Sequence, residues 1–267
     1  MSVWYIIVIK FVGEITMKLP VSVFIITLNE EAHIAKTLSS VRDMDEVIVV
    51  DSGSSDNTLN IAAEYGATII HQKWMGYAKQ KQFAMEQCRN DWVLNLDGDE
   101  AINSKLVSAF RDIIAKNNAD SVRFWRDDIF IGSPLSNLSK KANNHRFYRK
   151  SKARFDESRL AHESATVDGK EIFINQVFQH YGYDSISSIT EKNNQYSSLK
   201  ALEKFEKKKR FSSLKLLFIF PLVFAKEYIL QRKLFSGRRG FILSVMQAYY
   251  AFIKEAKLYE HEQNQVQ

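Results

Sequence analysis

Asp91-Trp-Val-Leu-Asn-Leu-Asp-Gly-Asp-Glu100 runs apolar for most of its length and then ends in three carboxylates within four residues. Trp92, Val93, Leu94 and Leu96 predict a short strand buried on both faces. In an open α/β sheet such a strand delivers the residues after it to the carboxyl edge, where ligands bind. Gly98 has no Cβ and permits a tight turn, so Asp97 and Asp99 can face one hard cation; magnesium or manganese suits this pair, and zinc does not. Taken alone, an Asp-x-Asp more often marks a solvated acidic turn capping the next helix. The neighbouring segments separate the two readings.

Toward the N-terminus, Val21 to Thr27 predicts a first strand, β-branched and apolar, and Asn29-Glu30-Glu31 an acid-led helix to about Arg42 with Leu38 and Val41 inward. Val47 to Val50 reads as the second strand. It runs into the polar turn Asp51-Ser-Gly-Ser-Ser-Asp56, whose last residue is a good N-cap for a helix over 57–65. Gly66 ends that helix, Ala67 to Ile70 gives a third strand, and Gly76 precedes a helix over 77–88. Strand and helix alternating at this spacing argue for a parallel sheet with right-handed crossovers. The ends of strands one, two and four then carry Thr27 and Asn29, Asp51, and Asp97 and Asp99 along one rim.

The chain has 267 residues, 45% of them hydrophobic, enough for one full α/β core with a small appendage. Cys88 is its single cysteine, which excludes an internal disulfide and a cysteine-rich zinc site and suits a reducing compartment. Net charge is +6, yet residues 204–239 hold eleven Lys and Arg against Glu206 and Glu227, so the remainder carries −3. Such concentration suggests a local anionic partner such as a membrane surface, and argues against nucleic acid. The opening apolar patch, Trp4 to Ile9, is too short to span a bilayer and has no cleavage site after it. Met17 stands directly before the first strand, so residues 1–16 read either as an extension upstream of the real start or as a mobile or interfacial arm.

Val21-Ser-Val-Phe-Ile-Ile-Thr-Leu-Asn-Glu30, Val47-Ile-Val-Val-Asp-Ser-Gly-Ser-Ser-Asp-Asn-Thr58 and Leu96-Asp-Gly-Asp-Glu100, in that order, closely resemble the family 2 glycosyltransferases. The likeness is specific over residues 20–130; beyond them it is weaker and similar to the bacterial lipopolysaccharide inner-core glucosyltransferases. It implies a GT-A fold, a Rossmann-like mixed and mainly parallel sheet flanked by helices, over residues 20–200, after an extension over 1–19 and before a basic helical tail over 201–267. It further implies a UDP-sugar donor, a divalent cation (Mg2+ or Mn2+), and inversion at the anomeric carbon.

Matched residue by residue, the resemblance places Thr27 and Asn29 at the nucleoside and gives Asp51 the uracil N3–H. Asp51 is otherwise the organiser of its own Ser-Gly-Ser-Ser turn. Asp97 falls nearest the ribose and metal, and Asp99 becomes the direct metal ligand. Glu30 and Asp56 suit either the site or helix-start electrostatics. Tyr77-Ala-Lys-Gln-Lys-Gln82 departs from the family's usual Asn at its last position, and Lys79 and Lys81 read as a solvated face.

Further on, the pattern predicts a helix over 104–116 and a strand over 121–131. In Asn144-His-Arg-Phe-Tyr-Arg149, Arg146 either faces the cleft, toward diphosphate or acceptor, or lies on a surface strand. Arg159-Leu-Ala-His-Glu163 matches a His-Glu pair of related enzymes and makes Glu163 the candidate base. His180 either completes the metal shell, contacts the diphosphate, or is a packed histidine. Lys192 and Tyr196, one turn apart on the next helix, reach the same cleft or line an exposed face.

In the tail, Lys207-Lys-Lys-Arg210 leads into the unbroken apolar run Leu216 to Ala225, which includes Pro221. Ten residues fall short of the ~20 needed to cross a bilayer, so the segment reads as an interfacial helix flanked by basic and aromatic residues, with a packing or dimer helix as the alternative. Gly237-Arg-Arg-Gly240 is expected to break the chain before a last helix over 241–259, with frayed residues after it. Together these features predict an enzyme in the cytoplasm, peripheral on the inner face of the cytoplasmic membrane, acting on a lipid-linked saccharide. A sugar-phosphate nucleotidyltransferase would show a Gly-rich loop after strand one, and Thr27-Leu-Asn-Glu30 has none. An inactive membrane-surface sugar-binding module is the non-enzyme alternative, against which the full carboxylate set speaks.

Overall fold

The computed structural model describes residues 17–156 and 164–264. The expected N-terminal arm over 1–16 and Glu163 lie outside them. The elements are, in chain order, β1 (Leu19–Thr27), α1 (Ile34–Ser40), β2 (Met44–Asp51), α2 (Thr58–Glu64), β3 (Thr68–His71), α3 (Tyr77–Glu86), β4 (Trp92–Asp97), β5 (Glu100–Ala101) and α4 (Ser104–Lys116). Next come β6 (Ser121–Phe130), β7 (Ser133–Pro134), β8 (Ala142–Arg149), β9 (Ala153–Arg154), β10 (Thr166–Val167), β11 (Glu171–Tyr183), α5 (Ile186–Glu206), α6 (Ser213–Ala225) and α7 (Gly237–Asn264).

The main sheet runs β3-β2-β1-β4-β8-β6-β11-β5, with β7 on the end of β6. Its first four strands are parallel, β8 is antiparallel to both neighbours, and β11 is parallel to β6. This mixed, mainly parallel sheet flanked by helices is the GT-A architecture. Val23, Ile25, Leu94 and Leu96 pack on one face with α1 and α4, while Phe24, Val50 and Val93 pack on the other with α3. Both faces are thus covered, which explains why β1 and β4 read as continuous apolar runs.

Two local expectations change. The first helix begins at Ile34 and not at the acidic residues, because Asn29 adopts φ 55° and the residues after it form a turn in which the Glu30 carbonyl accepts from His33 and Ile34. Asp56 is not the N-cap residue of α2; its carboxylate instead accepts from the Thr58 amide at 3.0 Å, two residues on.

At the other end, α5 runs unbroken across residue 200, where a domain boundary was expected. Leu243 of α7 joins Phe130 of the sheet and Ile189 of α5 in one apolar cluster, so the last helix belongs to the body of the protein. The expected break falls at Gly237 itself, whose φ of 56° and ψ of −137° separate the preceding short turn from α7, while Gly240 already lies in the first turn of that helix. It also continues to Asn264, past the expected fraying point. Among the described residues, no helix is long and apolar enough to cross a membrane.

Candidate active site

Thr27 and Asp51 close β1 and β2 and face each other in register. The two loops beyond them are stitched together. Asn29 N–H donates to Ser54 Oγ at 2.9 Å, Ser55 N–H to Asn29 Oδ1 at 2.8 Å, Glu30 N–H to Thr58 Oγ1 at 2.8 Å and Asn57 N–H to Glu31 Oε2 at 2.9 Å. They form one wall. Asp51 is fully buried and accepts from Gly53 N–H at 2.8 Å and Ser54 N–H at 3.0 Å, so it does organise its own turn. Thr27 Oγ1, buried beside it, makes no hydrogen bond among the described residues, an unanswered polar atom at the position matched to the nucleoside.

At the end of β4 the carboxylates meet two cations. Arg146 donates to Asp97 Oδ2 at 2.7 Å and also to Glu100, and Lys81 Nζ lies 2.9 Å from Asp97 Oδ1. Burial works against the ionised form of Asp97, but Arg146 and Lys81 outweigh it and hold the carboxyl well below the usual range. Glu100 goes the other way: burial pushes it up and Asp97 adds to this, against the pull of Arg146. Arg146 is only 7% exposed and lies beneath the rim, where it props two carboxylates instead of presenting its guanidinium to the cleft. Lys81 is 3% exposed and not on a solvated face: α3 turns it inward to Asp97. Gln82 is a fastener, its Oε1 accepting from the Phe155 amide at 3.0 Å.

The Asp99 side chain is buried as well, more deeply than that of Asp97. Its Oδ2 lies 3.4 Å from Lys192 Nζ and 3.7 Å from His180 Nε2, and its carbonyl accepts from Tyr181 N–H at 2.8 Å. Burial lowers the affinity of both groups for their protons; Asp99 and Glu30 nonetheless raise Lys192, and Asp128 and Asp99 raise His180. Tyr196, one turn beyond Lys192, lies 2.8 Å hydroxyl to hydroxyl from Tyr77. Gly98 is not needed for a left-handed turn; a Cβ there would stand 3.0 Å from Glu30 Cγ, and its absence lets Glu30 lie across the Asp97–Asp99 turn. In that place burial, then Asp99, push Glu30 up to about 7.

The residues present fit a divalent cation. A Cβ on Gly182 would fall 2.7 Å from His180 Nε2 and 2.8 Å from Asp99 Oδ2, so the bare glycine preserves the space between those two atoms. Among the described residues no group of three or more His, Cys, Asp and Glu side chains converges as a complete cage. Magnesium in phosphate-handling sites characteristically takes one or two protein ligands and draws the rest from substrate phosphate and water.

Comparison with known proteins agrees with this geometry. Residues 22–178 match the model of glycosyl transferase family 2. The chain belongs to that family. An uncharacterized glycosyltransferase of Rickettsia typhi is 36% identical over 90% of this chain and 87% of its own. The lipopolysaccharide core biosynthesis glycosyltransferase LpsC of Rhizobium meliloti is 34% identical over 91% and 93% respectively. Among solved structures, S. aureus TarS aligns with 91% of this chain and 54% of its own at 18% identity and a TM-score of 0.49, too distant to bear on substrate or cation.

In this glycosyltransferase the structure thus gathers Thr27, Asn29, Asp51, Asp97, Asp99, His180 and Lys192 at one sheet edge, with Arg146 directly beneath. Lys81, Glu100, Gly182 and Asp128 join them without having been singled out from sequence. The strand pairings place them there: β11 sets His180 opposite both Glu100 of β5 and Asp128 of β6.

Proposed function

We propose that this glycosyltransferase moves a sugar, glucose from UDP-glucose, onto a lipopolysaccharide core acceptor at the inner face of the cytoplasmic membrane, with inversion. The observation that carries the donor half is the graded rim, running from the unanswered Thr27 hydroxyl and the Asp51 turn at one end to Asp99, His180 and Lys192 at the other. That order suits a nucleoside followed by a diphosphate. A divalent cation held by Asp99 and His180 would supply charge neutralisation for the departing diphosphate. Lys192, with its ammonium at the opening, is placed to meet the same charge once Asp99 is otherwise occupied. Lys81 and Arg146 keep Asp97 ionised and fixed in position.

The acceptor hydroxyl attacks the anomeric carbon opposite the leaving group. One C–O bond forms as the other breaks, the electron pair leaves with UDP, and a carboxylate removes the hydroxyl proton. Glu163 is proposed as that base on its His-Glu match, and it contributes roughly 10²–10⁴-fold if it is.

The acceptor half rests on LpsC's likeness and on the tail. Helix α6 has no buried residue, and Leu214, Leu217 and Leu222 are 72%, 68% and 65% exposed. Basic residues 207–210, Lys215, Lys226, Arg238 and Arg239 flank it. An apolar helix bordered by cations suits the surface of an anionic bilayer. The test is UDP release from a panel of UDP-sugars with manganese, with and without truncated core saccharide. Acceptor-dependent release from UDP-glucose above other donors supports the proposal; no acceptor-dependent release from any donor overturns it.

A further inference from the structure

His180 sits between two carboxylates with different tasks. Its Nε2 faces Asp99 Oδ2 at 3.7 Å, beyond hydrogen-bonding distance, while its Nδ1 lies 2.9 Å from Asp128 Oδ1. An ionised carboxylate only accepts, so Nδ1 is the donor, and a neutral imidazole then directs the Nε2 lone pair to the Asp99 side. Asp128 does not drift to suit. Arg126 pairs with it, Nη2 donating to Oδ2 at 3.4 Å and Nε standing 2.9 Å from Oδ1 as an ion-pair contact without hydrogen-bond alignment, and the parallel β6–β11 register sets it directly against His180. The Tyr183 ring closes on the imidazole edge-on, with centroids 5.3 Å apart at 84°. On the remaining side Gly182 leaves room that a Cβ would occupy within 2.8 Å of both Nε2 and Asp99 Oδ2.

We infer that Asp128 is a positioning residue for the donor-site cation: clamped by Arg126, it fixes the tautomer and ring orientation in which His180 presents Nε2 beside Asp99. The inference rests on the reading of Asp99 and His180 as the protein's ligands to that cation. Metal-bound histidines commonly give their other ring N–H to a carboxylate, and loss of that carboxylate costs 10- to 100-fold in metal affinity or activity. A purely structural Arg126–Asp128–His180 cluster would fasten β6 to β11 and do no more. The two roles separate in what a substitution changes.

The experiment compares Mn2+ binding in the presence of UDP, read from the free-ion electron paramagnetic resonance signal, for the wild type, Asp128→Asn and Asp99→Asn, alongside thermal midpoints without metal. Asn keeps the shape of Asp128 but not its charge. Asp128→Asn is expected to weaken Mn2+ binding 10- to 100-fold while UDP binding in EDTA stays at the wild-type level. Wild-type Mn2+ affinity in Asp128→Asn, with Asp99→Asn strongly weakened, overturns the inference and leaves the cation reading intact. Wild-type Mn2+ affinity in Asp99→Asn overturns the cation reading itself, and this inference with it. Should Asp128→Asn fail to fold, Arg126→Lys keeps the charge and removes the guanidinium contact to Asp128. A folded Arg126→Lys is expected to lose Mn2+ affinity in the same direction by a smaller factor, and an unchanged affinity there overturns the inference.

Discussion

The donor rim and helix α6 break the ordinary partition of polar and apolar groups in opposite directions. At the rim, Lys81, Asp99, Glu100 and Arg146 are charged and buried; on α6, Leu214, Leu217 and Leu222 are apolar and turned outward. Buried charge and exposed apolar patches are the two departures from ordinary burial that carry information. The rim answers most of its charges internally, and at its edge the buried Asp99 meets the partly exposed Lys192. Helix α6 fully buries no residue: one side rests on α7, with Phe224 edge-on to Phe241, and Leu214, Leu217 and Leu222 stay outward as an exposed apolar patch. On the proposed function the chemistry belongs to the first region and the location of the acceptor to the second, so each should be open to disabling without the other.

The largest effect is expected at Asp99. Asp99→Asn keeps the shape and removes the charge from the proposed cation site, and cation stabilisation of a departing phosphate amounts to several kcal/mol, roughly a thousandfold or more in rate. EDTA should reproduce the loss in the wild type, and the circular dichroism spectrum of the variant should match it. Full turnover in Asp99→Asn or in metal-stripped enzyme would remove the cation from the mechanism. Next stands Glu163→Gln, expected to lower transfer by roughly 10²–10⁴ with UDP affinity unaltered, since a base acts on the acceptor and not on the donor. Titration calorimetry with UDP separates this failure from that of Asp99→Asn. Near-normal transfer would move the role to another carboxylate, Asp156, Glu157 or Asp168 being the next to try.

The second region is tested at its charges. Replacing residues 207–210 with Gln should cost about 1 kcal/mol per residue in partition onto anionic vesicles at low salt, and less as salt rises. Transfer to a soluble core fragment should be unaffected. These surface changes are preferable to removal of the tail, because α7 contributes Leu243 to a cluster shared with Phe130 and Ile189. Equal partition of wild type and variant would favour a self-association helix in place of a membrane surface.

How much of this is legible in the sequence depends on whether the signal is local or distant. Strands β1, β2 and β4 announce themselves because apolar runs of this length, β-branched in β1 and β2, have few other uses, and the polar residues at their ends therefore fall on one rim. Lys81 does not announce itself. Nothing within α3 shows that one of its lysines has a carboxylate from β4 to meet, so a solvated face is the natural expectation. Glu100, Asp128 and His180 meet through β5–β11 and β6–β11 pairing, a relation between segments far apart in the chain that no local pattern specifies. The turn at Asn29 defeats the helix reading for a similar reason: its acidic residues look like a first helical turn, but their partners are in the loop after β2.

The smallest expected effect lies at Glu30, where the rim's tolerance for buried charge is least complete. Burial first, then Asp99, Asp97 and Asp56, raise its carboxyl to about 7 against 4.5 for the free side chain, with Lys192 opposing. The folded state therefore holds this proton more tightly than the unfolded state does, so the contribution to stability is full below about 4.5 and is lost as pH rises through about 7. Glu30→Gln carries no such charge at any pH. In EDTA, which keeps a cation from adding its own charge nearby, the thermal midpoint of Glu30→Gln should exceed that of the wild type at pH 8. The gap should narrow steadily as pH falls and close near the free glutamate value. A gap that stays constant across this range would mean that Glu30 is solvated, and that the rim answers its charges as fully at Glu30 as it does at Asp97.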